Sequence, residues 1–182
     1  MARPTTRAKV HAAVLALARD DGGGSMSMEG IAARAGVSKQ TLYRTWDSTG
    51  AILFDALLAR SQGEGDAVTV PTSADLRADL ELLATGTVAE LTDPTMEPLL
   101  RSVTAQIQGD RVLAAQYREL LLLPQLKAVA ARFRRAGVDD AEGLAELFLG
   151  PVLHRWLLRT GPLDAAWVAR HVTRTLRAAG PR

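Results

Sequence analysis

The sequence contains no cysteine. This absence excludes disulfides, thiolate metal sites, iron–sulfur clusters and a cysteine nucleophile, and it agrees with a reducing compartment. Long apolar runs are missing too: the densest, residues 119–126 (ELLLLPQL), is short and contains a proline. A membrane-spanning helix needs about 20 predominantly apolar residues. We therefore expect a folded cytoplasmic protein with no membrane partner.

Runs of valine or isoleucine bounded by turns are also missing, and nearly every segment has the apolar spacing of a helix. The sequence therefore predicts an all-α protein. A glycine-rich stretch, residues 61–66, separates a predicted domain at 1–60 from one at 67–182. The first would hold a helix from Thr5 or Thr6 to the glycines at 22–24, then helices capped by Ser27, Ser38 (through Trp46) and Ser48. The second would be a bundle with helices near 73–91, 95–108, 111–135 (bent or split at Pro124), 140–160 and 164–178.

Positive charge is concentrated at the N-terminal end of the chain. Residues 1–46 hold seven Lys or Arg against three acids, whereas residues 61–182 hold 14 against 15. An excess of this kind can meet nucleic-acid phosphates, although it can also be an ordinary solvated surface.

The stretch IAARAGVSKQTLY, residues 31–43, has the pattern of a helix-turn-helix, whose second helix enters the major groove of DNA. Ala32 and Ala35 would let two helices approach closely, and Gly36 would supply the positive φ of the turn. Val37 and Leu42 have the spacing of a hydrophobic staple. An ordinary corner between two helices can use the same residue types, so this alternative stays open.

Residues 7–58 resemble the tetracycline-repressor (TetR) family of bacterial regulators, whose signature is similar to residues 31–58, IAARAGVSKQTLYRTWDSTGAILFDALL. Residues 150–164, GPVLHRWLLRTGPLD, are similar to a late helix and loop in the regulatory domain of one subgroup. The resemblance implies a three-helix N-terminal DNA-binding domain and a C-terminal helical bundle for ligand binding and dimerisation. It implies a ligand-responsive repressor that binds a palindromic double-stranded DNA operator as a homodimer. The alternatives are a helical DNA-binding protein without an inducer and a helical enzyme.

The resemblance assigns DNA contacts to named residues. It places Lys39, Gln40 and Arg44 at base edges and Thr41, Tyr43 and Thr45 at phosphates. Long donors of this kind suit the groove, since Lys or Arg pairs with guanine and Gln with adenine. Ser27 and the amide of Met28 would hold a phosphate at a helix start, as would Arg3 and Arg7 from the N-terminal arm. Lys39 and Arg44 could instead be solvated charges, and Tyr43 could serve packing alone.

Two positions depart from the family pattern after the recognition helix. Thr49 stands where the family usually has a phosphate-binding lysine, and Asp47 lies nearby. We expect a weaker phosphate contact there. Glu29 suits the dipole of its helix but would reach DNA only by accepting from a cytosine amino group.

The last two predicted helices carry more apolar surface than one face can bury. One face could pack on the core and another on a second subunit, although burial within one subunit is the alternative. The interface residues expected on this basis are Phe148, Val152, Trp156, Val168, Val172 and Leu176.

An unidentified small-molecule effector is expected inside the C-terminal bundle, where polar groups on apolar helices would orient it. The candidates are Gln106, Tyr117, His154 and Trp156. A lone histidine such as His154 is also commonly a satisfied core or interface residue.

No cofactor or metal is expected. The three histidines, His11, His154 and His171, lack the spacing of a helical metal site. No glycine-rich phosphate loop follows a strand, and no catalytic group of residues stands out, so an enzyme is not expected.

Overall fold

The computed structural model describes residues 4–20, 26–63 and 70–180, and all regular secondary structure in these ranges is helical. The fold class predicted from the sequence, all-α, is confirmed. A π-helical segment, Arg118–Leu122, joins α7 to α8. The ten α-helices of the described ranges are α1 Pro4–Asp20, α2 Met28–Ala35, α3 Lys39–Tyr43, α4 Thr49–Gly63, α5 Leu76–Leu91, α6 Glu97–Gln106, α7 Arg111–Tyr117, α8 Leu123–Arg135, α9 Ala141–Leu158 and α10 Ala165–Ala178.

Serine caps begin three of the first four helices, as predicted. The hydroxyl of Ser27 accepts a hydrogen bond from the amide of Gly30 at 3.1 Å. Ser38 accepts from the amide of Thr41 at 3.1 Å, and Ser48 from that of Ala51 at 3.1 Å. Each cap satisfies an amide that has no partner within its helix.

Gly36 makes the turn between α2 and α3. Its φ of 65° lies in the left-handed region, and its amide donates to carbonyls at the end of α2. A side chain is strained in that conformation, whereas glycine adopts it freely. The turn predicted at this glycine is therefore confirmed.

Two predicted boundaries are wrong. Helix α3 ends at Tyr43 rather than Trp46, because the amide of Thr45 bonds the carbonyl of Leu42, three residues back, and tightens the chain. Helix α1 begins at Pro4, before the predicted caps Thr5 and Thr6. Proline favours a first helical position because its missing amide hydrogen would have no partner there. The glycines at 22–24 lie outside the described residues.

The break predicted at Pro124 is confirmed in form. The chain passes from α7 through the π-helical segment into α8, with Pro124 in the first turn of α8. Proline cannot donate to the carbonyl four residues before it, so it is accommodated at a helix start.

The described residues form two compact units. Unit 1 contains α1 to α4 together with α6 and α7, and unit 2 contains α5, the π-helical segment and α8 to α10. The predicted division between residues 60 and 67 stays a prediction, since residues 64–69 lie outside the described ranges.

The core of unit 1 draws on every helix in it. Among its fully buried side chains are Val10, Val14, Ile31, Leu42, Ile52, Leu53, Leu99 and Val103. Helix α4 contacts α1, α6 and α7.

The start of α4 lies against α6 and α7 within unit 1. A side-chain carbon added at Gly50 would lie 2.8 Å from both the Gln106 Oε1 and a Leu113 methyl group. The amide of Gln106 also pairs with the hydroxyl of Thr49, with Nε2 and Oγ1 3.3 Å apart. Glycine leaves room for this approach, whereas a side chain there would require the ends of Gln106 and Leu113 to shift.

Unit 2 is organised by contacts of α8 with α9 and of α10 with α5 and α9. Its core includes Leu80, Val129, Phe133, Phe148 and Val152. The imidazole of His171 is buried between the rings of Phe148 and Trp167, with centroids 5.6 and 4.8 Å away.

A buried ion pair joins α5 to α8 in unit 2. Nε of Arg132 donates to Oδ2 of Asp79 at 2.6 Å, and both side chains are almost fully buried. The amide of Ser73 also donates to that carboxylate. Burial would raise the pKa of Asp79, but the hydrogen bonds from Ser73 and Arg132 hold it below its usual value.

None of the described helices has the combination of length and apolar content needed to cross a bilayer.

Candidate nucleic-acid interface

Helix α3 separates its side chains by direction. Leu42 is fully buried and Trp46, just beyond the helix, is 5% exposed. Lys39, Gln40 and Arg44 are all exposed. The apolar positions fix the helix on the core, and the polar ones remain accessible to a ligand.

Tyr43 is 52% exposed, which shows that its ring is not committed to the core. The contact of Tyr43 with phosphate and the alternative that it serves packing alone both stay predictions. Its hydroxyl can donate to a ligand oxygen.

Lys39 has a partner within the helix-turn-helix. Its ammonium donates to the carboxylate of Glu29, in the first turn of α2. The hydrogen bond from Lys39 lowers the pKa of Glu29, so this acid stays ionised at neutral pH. Arg44, at the other end of α3, has no acidic partner in the described part of the chain.

The hydroxyls near the turn differ in accessibility. Thr41 is half-buried, and its hydroxyl lies 2.9 Å from that of Ser38. The hydroxyl of Thr45 is buried without a hydrogen-bond partner in the described structure. The assignment of Thr45 to phosphate is thus at odds with its inward orientation.

At the start of α2, the Ser27 hydroxyl already caps the helix, and a hydroxyl that accepts one bond can still donate another. The Met28 side chain is buried, so its amide is the group left to face a ligand.

Arg7 does not lie in an extended arm. It belongs to α1, and its guanidinium donates to both carboxylate oxygens of Asp55 on α4, with Nε and Oδ2 2.9 Å apart. The hydrogen bond to Asp55 raises the pKa of Arg7. The expected position of Arg7 in an arm is therefore wrong, while its phosphate contact stays a prediction. Arg3 lies outside the described residues.

Asp55 on α4 accepts hydrogen bonds from two further side chains. His11 Nε2 lies 2.8 Å from Oδ2, and the indole Nε1 of Trp46 donates to the same oxygen at 3.0 Å. Burial alone would raise the pKa of Asp55, but hydrogen bonds from Arg7, His11 and Trp46 hold it below its usual value. This carboxylate therefore links α1, α4 and the end of the recognition segment (residues 39–46).

Sequence reasoning missed this carboxylate, although one signal was available. Asp55 interrupts an apolar run, AILFDALL, and an acid at such a position needs partners from elsewhere. Its partners Arg7 and His11 lie more than 40 residues away in the chain, so no local pattern identifies them.

Comparison with known proteins places both parts of the chain. Residues 11–56 match the family described as "Bacterial regulatory proteins, tetR family", and residues 70–175 match "Tetracyclin repressor-like, C-terminal domain". A relative in Mycobacteroides abscessus, "DNA-binding transcriptional repressor TetR", is 33% identical over 186 residues, covering 94% of this chain and 93% of its own. The chain belongs to the TetR family.

Other relatives agree with this assignment. "HTH-type transcriptional regulator AqdR" of Rhodococcus erythropolis is 28% identical over 160 residues, covering 85% of this chain and 75% of its own. The solved structure of the TetR family transcription regulator SCO0332 shares 31% identity at a TM-score of 0.70, covering 97% of this chain and 99% of its own. The TetR-family chain is thus a DNA-binding transcriptional regulator and not an enzyme.

The residues expected at a dimer interface are largely core residues of unit 2. Phe148, Val152 and Val172 have no exposed surface, and Trp156 and Val168 are 5% exposed. Side chains buried within one subunit cannot add contact area with a second, so this part of the prediction is wrong. Leu176 is half-buried. The accessible leucines of α9 are instead Leu147, Leu157 and Leu158.

The four residues expected at an effector site are divided between the two units, two in each. Gln106 pairs with Thr49 in unit 1, and the ring of Tyr117 lies 6.4 Å from that of Phe54 there. In unit 2, His154 is exposed and Trp156 is buried. Polar residues on apolar helices, which were chosen as effector contacts, therefore differ widely in burial and in hydrogen-bond partners.

Unit 2 contains a cleft of about 550 Å³ that none of these four residues lines. Its walls come from three stretches of the chain: the start of α5, the turn after α8 and the end of α10. They are Ala74, Asp75, Leu76, Arg77, Ala136, Gly137, Val138, Leu176, Ala179 and Gly180.

Proposed function

We propose that this regulator is a repressor that binds a palindromic operator through α3 and releases it when a small molecule binds. One observation carries the proposal: the polar side chains of α3 are exposed, while Leu42 and Trp46 are buried and hold this segment on the core. The segment lies within the residues that match the family's N-terminal domain. The name of the mycobacterial relative supports repression over activation.

In this proposal Lys39, Gln40 and Arg44 contact base edges, because they are exposed donors of sufficient length. Tyr43 and Thr41 contact phosphates, together with Ser27 and the amide of Met28. Arg7 and Thr45 are left out, since Asp55 binds the first and the hydroxyl of the second is buried.

The proposed assembly is a homodimer, because one small helix-turn-helix contacts too little DNA for specific binding. Two copies would place their recognition helices in successive major grooves, about 34 Å apart. The exposed leucines of α9 support a contact there, since Leu147 and Leu158 lie about three turns apart on one side of the helix and Leu157 adjoins them.

Light scattering tests the dimer. The wild type should have twice the chain mass, and Leu158→Arg should shift it toward the monomer. Leu82→Arg is the matched control, because Leu82 is similarly exposed but lies on α5. A wild-type monomer at micromolar concentration would contradict the assembly.

The effector and the location complete the proposal. We place effector binding in the C-terminal part of the chain, where the family's second domain matches. DNA binding would take place in the cytoplasm, where bacterial DNA is found.

The main test is a gel shift with the DNA upstream of the protein's own gene, at two salt concentrations and with competitor DNA. A discrete complex that survives random competitor is expected. Equal affinity for the upstream and random duplexes would contradict the proposal.

A further inference from the structure

The ion pair between Glu29 and Lys39 crosses the turn of the helix-turn-helix. Glu29 is in the first turn of α2, and Lys39 is the first residue of α3. Their side chains are 57% and 53% exposed, so water and solutes reach both groups. A ligand that binds α3 can therefore reach Lys39 and replace Glu29 as its partner.

The two ends of the recognition segment differ in charge. Lys39 is neutralised by Glu29, while Arg44 has no carboxylate partner in the described ranges. A DNA phosphate or guanine oxygen that approaches Lys39 must replace the carboxylate of Glu29. The carboxylate that is displaced then remains beside a polyanion.

We infer that Glu29 is an affinity-setting residue that competes with DNA for the ammonium group of Lys39. This inference rests on the proposed operator binding through α3. Glu29 holds Lys39 in the free protein, so DNA binding includes the cost of breaking that pair. Removing the carboxylate should therefore tighten DNA binding, provided that Lys39 is present.

The size of the effect follows from the exposure of the pair. Exposed ion pairs are weak, so removing the carboxylate should change the affinity by roughly 1.4- to 5-fold. A lysine that becomes free to neutralise one more phosphate also steepens the dependence of log K on log salt concentration by up to about 0.9.

The experiment measures fluorescence anisotropy with two labelled duplexes over a series of KCl concentrations. One duplex is selected by the wild-type protein from a randomised pool, and the other is a scrambled sequence of the same composition. The proteins are the wild type, Glu29→Gln, Lys39→Met and the double variant. Asp47→Asn is the matched control, since Asp47 is an exposed acid at the far end of the same segment.

The expected result is a several-fold tightening by Glu29→Gln that exceeds the effect of Asp47→Asn and comes with a steeper salt dependence. In the Lys39→Met background the same substitution should do no more than Asp47→Asn. Circular dichroism should show equal helix content in all variants, since both side chains are exposed.

Two results would overturn the inference in distinguishable ways. Equal effects of Glu29→Gln and Asp47→Asn, undiminished by Lys39→Met, would show that Glu29 acts only through net charge while operator binding stands. A wild type that selects no duplex from the pool would remove the proposed operator binding and the inference with it.

Discussion

The indole nitrogen of Trp46 donates a hydrogen bond to Oδ2 of Asp55 at 3.0 Å. Trp46 lies three residues beyond the end of α3 and Asp55 lies on α4, so this bond fixes the stretch after α3 to α4. The same oxygen lies near His11 of α1. One carboxylate thereby orients the surface that α3 presents.

Replacing this carboxylate should destabilise the protein. Asp55→Ala leaves the buried indole N–H of Trp46 without its acceptor, and an unsatisfied buried donor costs about 1–3 kcal/mol. We expect the free energy of unfolding in urea to fall by about that amount. Glu146→Ala, at an exposed acid of α9, should change it by less than about 0.5 kcal/mol.

A Trp46→Phe background separates the indole bond from the others. There the loss caused by Asp55→Ala should shrink, because the donor is already absent. An equal loss in both backgrounds would show that the bond contributes nothing to stability.

The buried pair of unit 2 should tolerate loss of one partner poorly. Arg132→Ala leaves the carboxylate of Asp79 uncompensated, and we expect the melting temperature to fall on the order of 10 °C. The double variant Asp79→Leu/Arg132→Met should recover part of that loss. Arg134→Ala breaks an exposed pair with Glu142 and should lower the melting temperature by no more than about 4 °C.

Stability should depend on pH through His171. Burial lowers its pKa, the bond to the Phe148 carbonyl opposes that shift, and the charge of Arg174 adds to it. The unfolded chain therefore binds a proton near pH 6.5 while the folded chain does not, and stability falls as pH drops below that value.

The slope that His171 contributes cannot exceed about 1.4 kcal/mol per pH unit, because one proton is involved. Urea unfolding between neutral and mildly acidic pH measures it. His171→Gln should flatten the profile, since its amide can still donate to the Phe148 carbonyl. His154→Gln, at an exposed histidine, should leave the profile unchanged. A steep profile that persists in His171→Gln would assign the dependence elsewhere.

The proposed base and phosphate contacts should respond differently to substitution. Gln40→Ala should relax preference at one base pair, with a loss of about 1–3 kcal/mol on the preferred base alone. Tyr43→Phe should weaken every duplex by a similar factor, because it removes a donor to the backbone. Anisotropy against single-base variants of a selected duplex distinguishes them. Uniform weakening by Gln40→Ala would contradict its assignment.

The close approach at Gly50 should make this position intolerant of a side chain. Gly50→Ala places a carbon 2.8 Å from Gln106 and Leu113, and overpacking of this kind costs about 1–3 kcal/mol. Gly86→Ala is the control: Gly86 lies within α5 with open space around it, so alanine there should stabilise by about 0.5–1 kcal/mol. Equal effects of the two substitutions would contradict the packing argument.

The sequence predicted the local features of the fold well. The caps Ser27, Ser38 and Ser48 and the turn at Gly36 depend on residues within four positions of one another, so a pattern reveals them. The break near Pro124 was likewise local, since it follows from the missing amide hydrogen.

What the sequence could not predict depends on distant residues. Periodicity showed that Phe148 and Val172 lie on apolar faces, but it could not show that one subunit covers them completely. The ion pair of Arg7 could not be predicted because its partner Asp55 is 48 residues away in the chain. Gln106 was predicted to line a pocket because it is polar on an apolar helix, and its partner Thr49, 57 residues away, could not be recognised from the sequence.

The packing of α6 and α7 with the first four helices has a consequence for hybrid regulators. A chimera that joined residues 1–66 of this chain to the body of a relative would leave Gly50 and Thr49 facing a foreign α6 and α7. Exchanging operator specificity between relatives should therefore succeed best when residues 93–117 are transplanted together with residues 1–66.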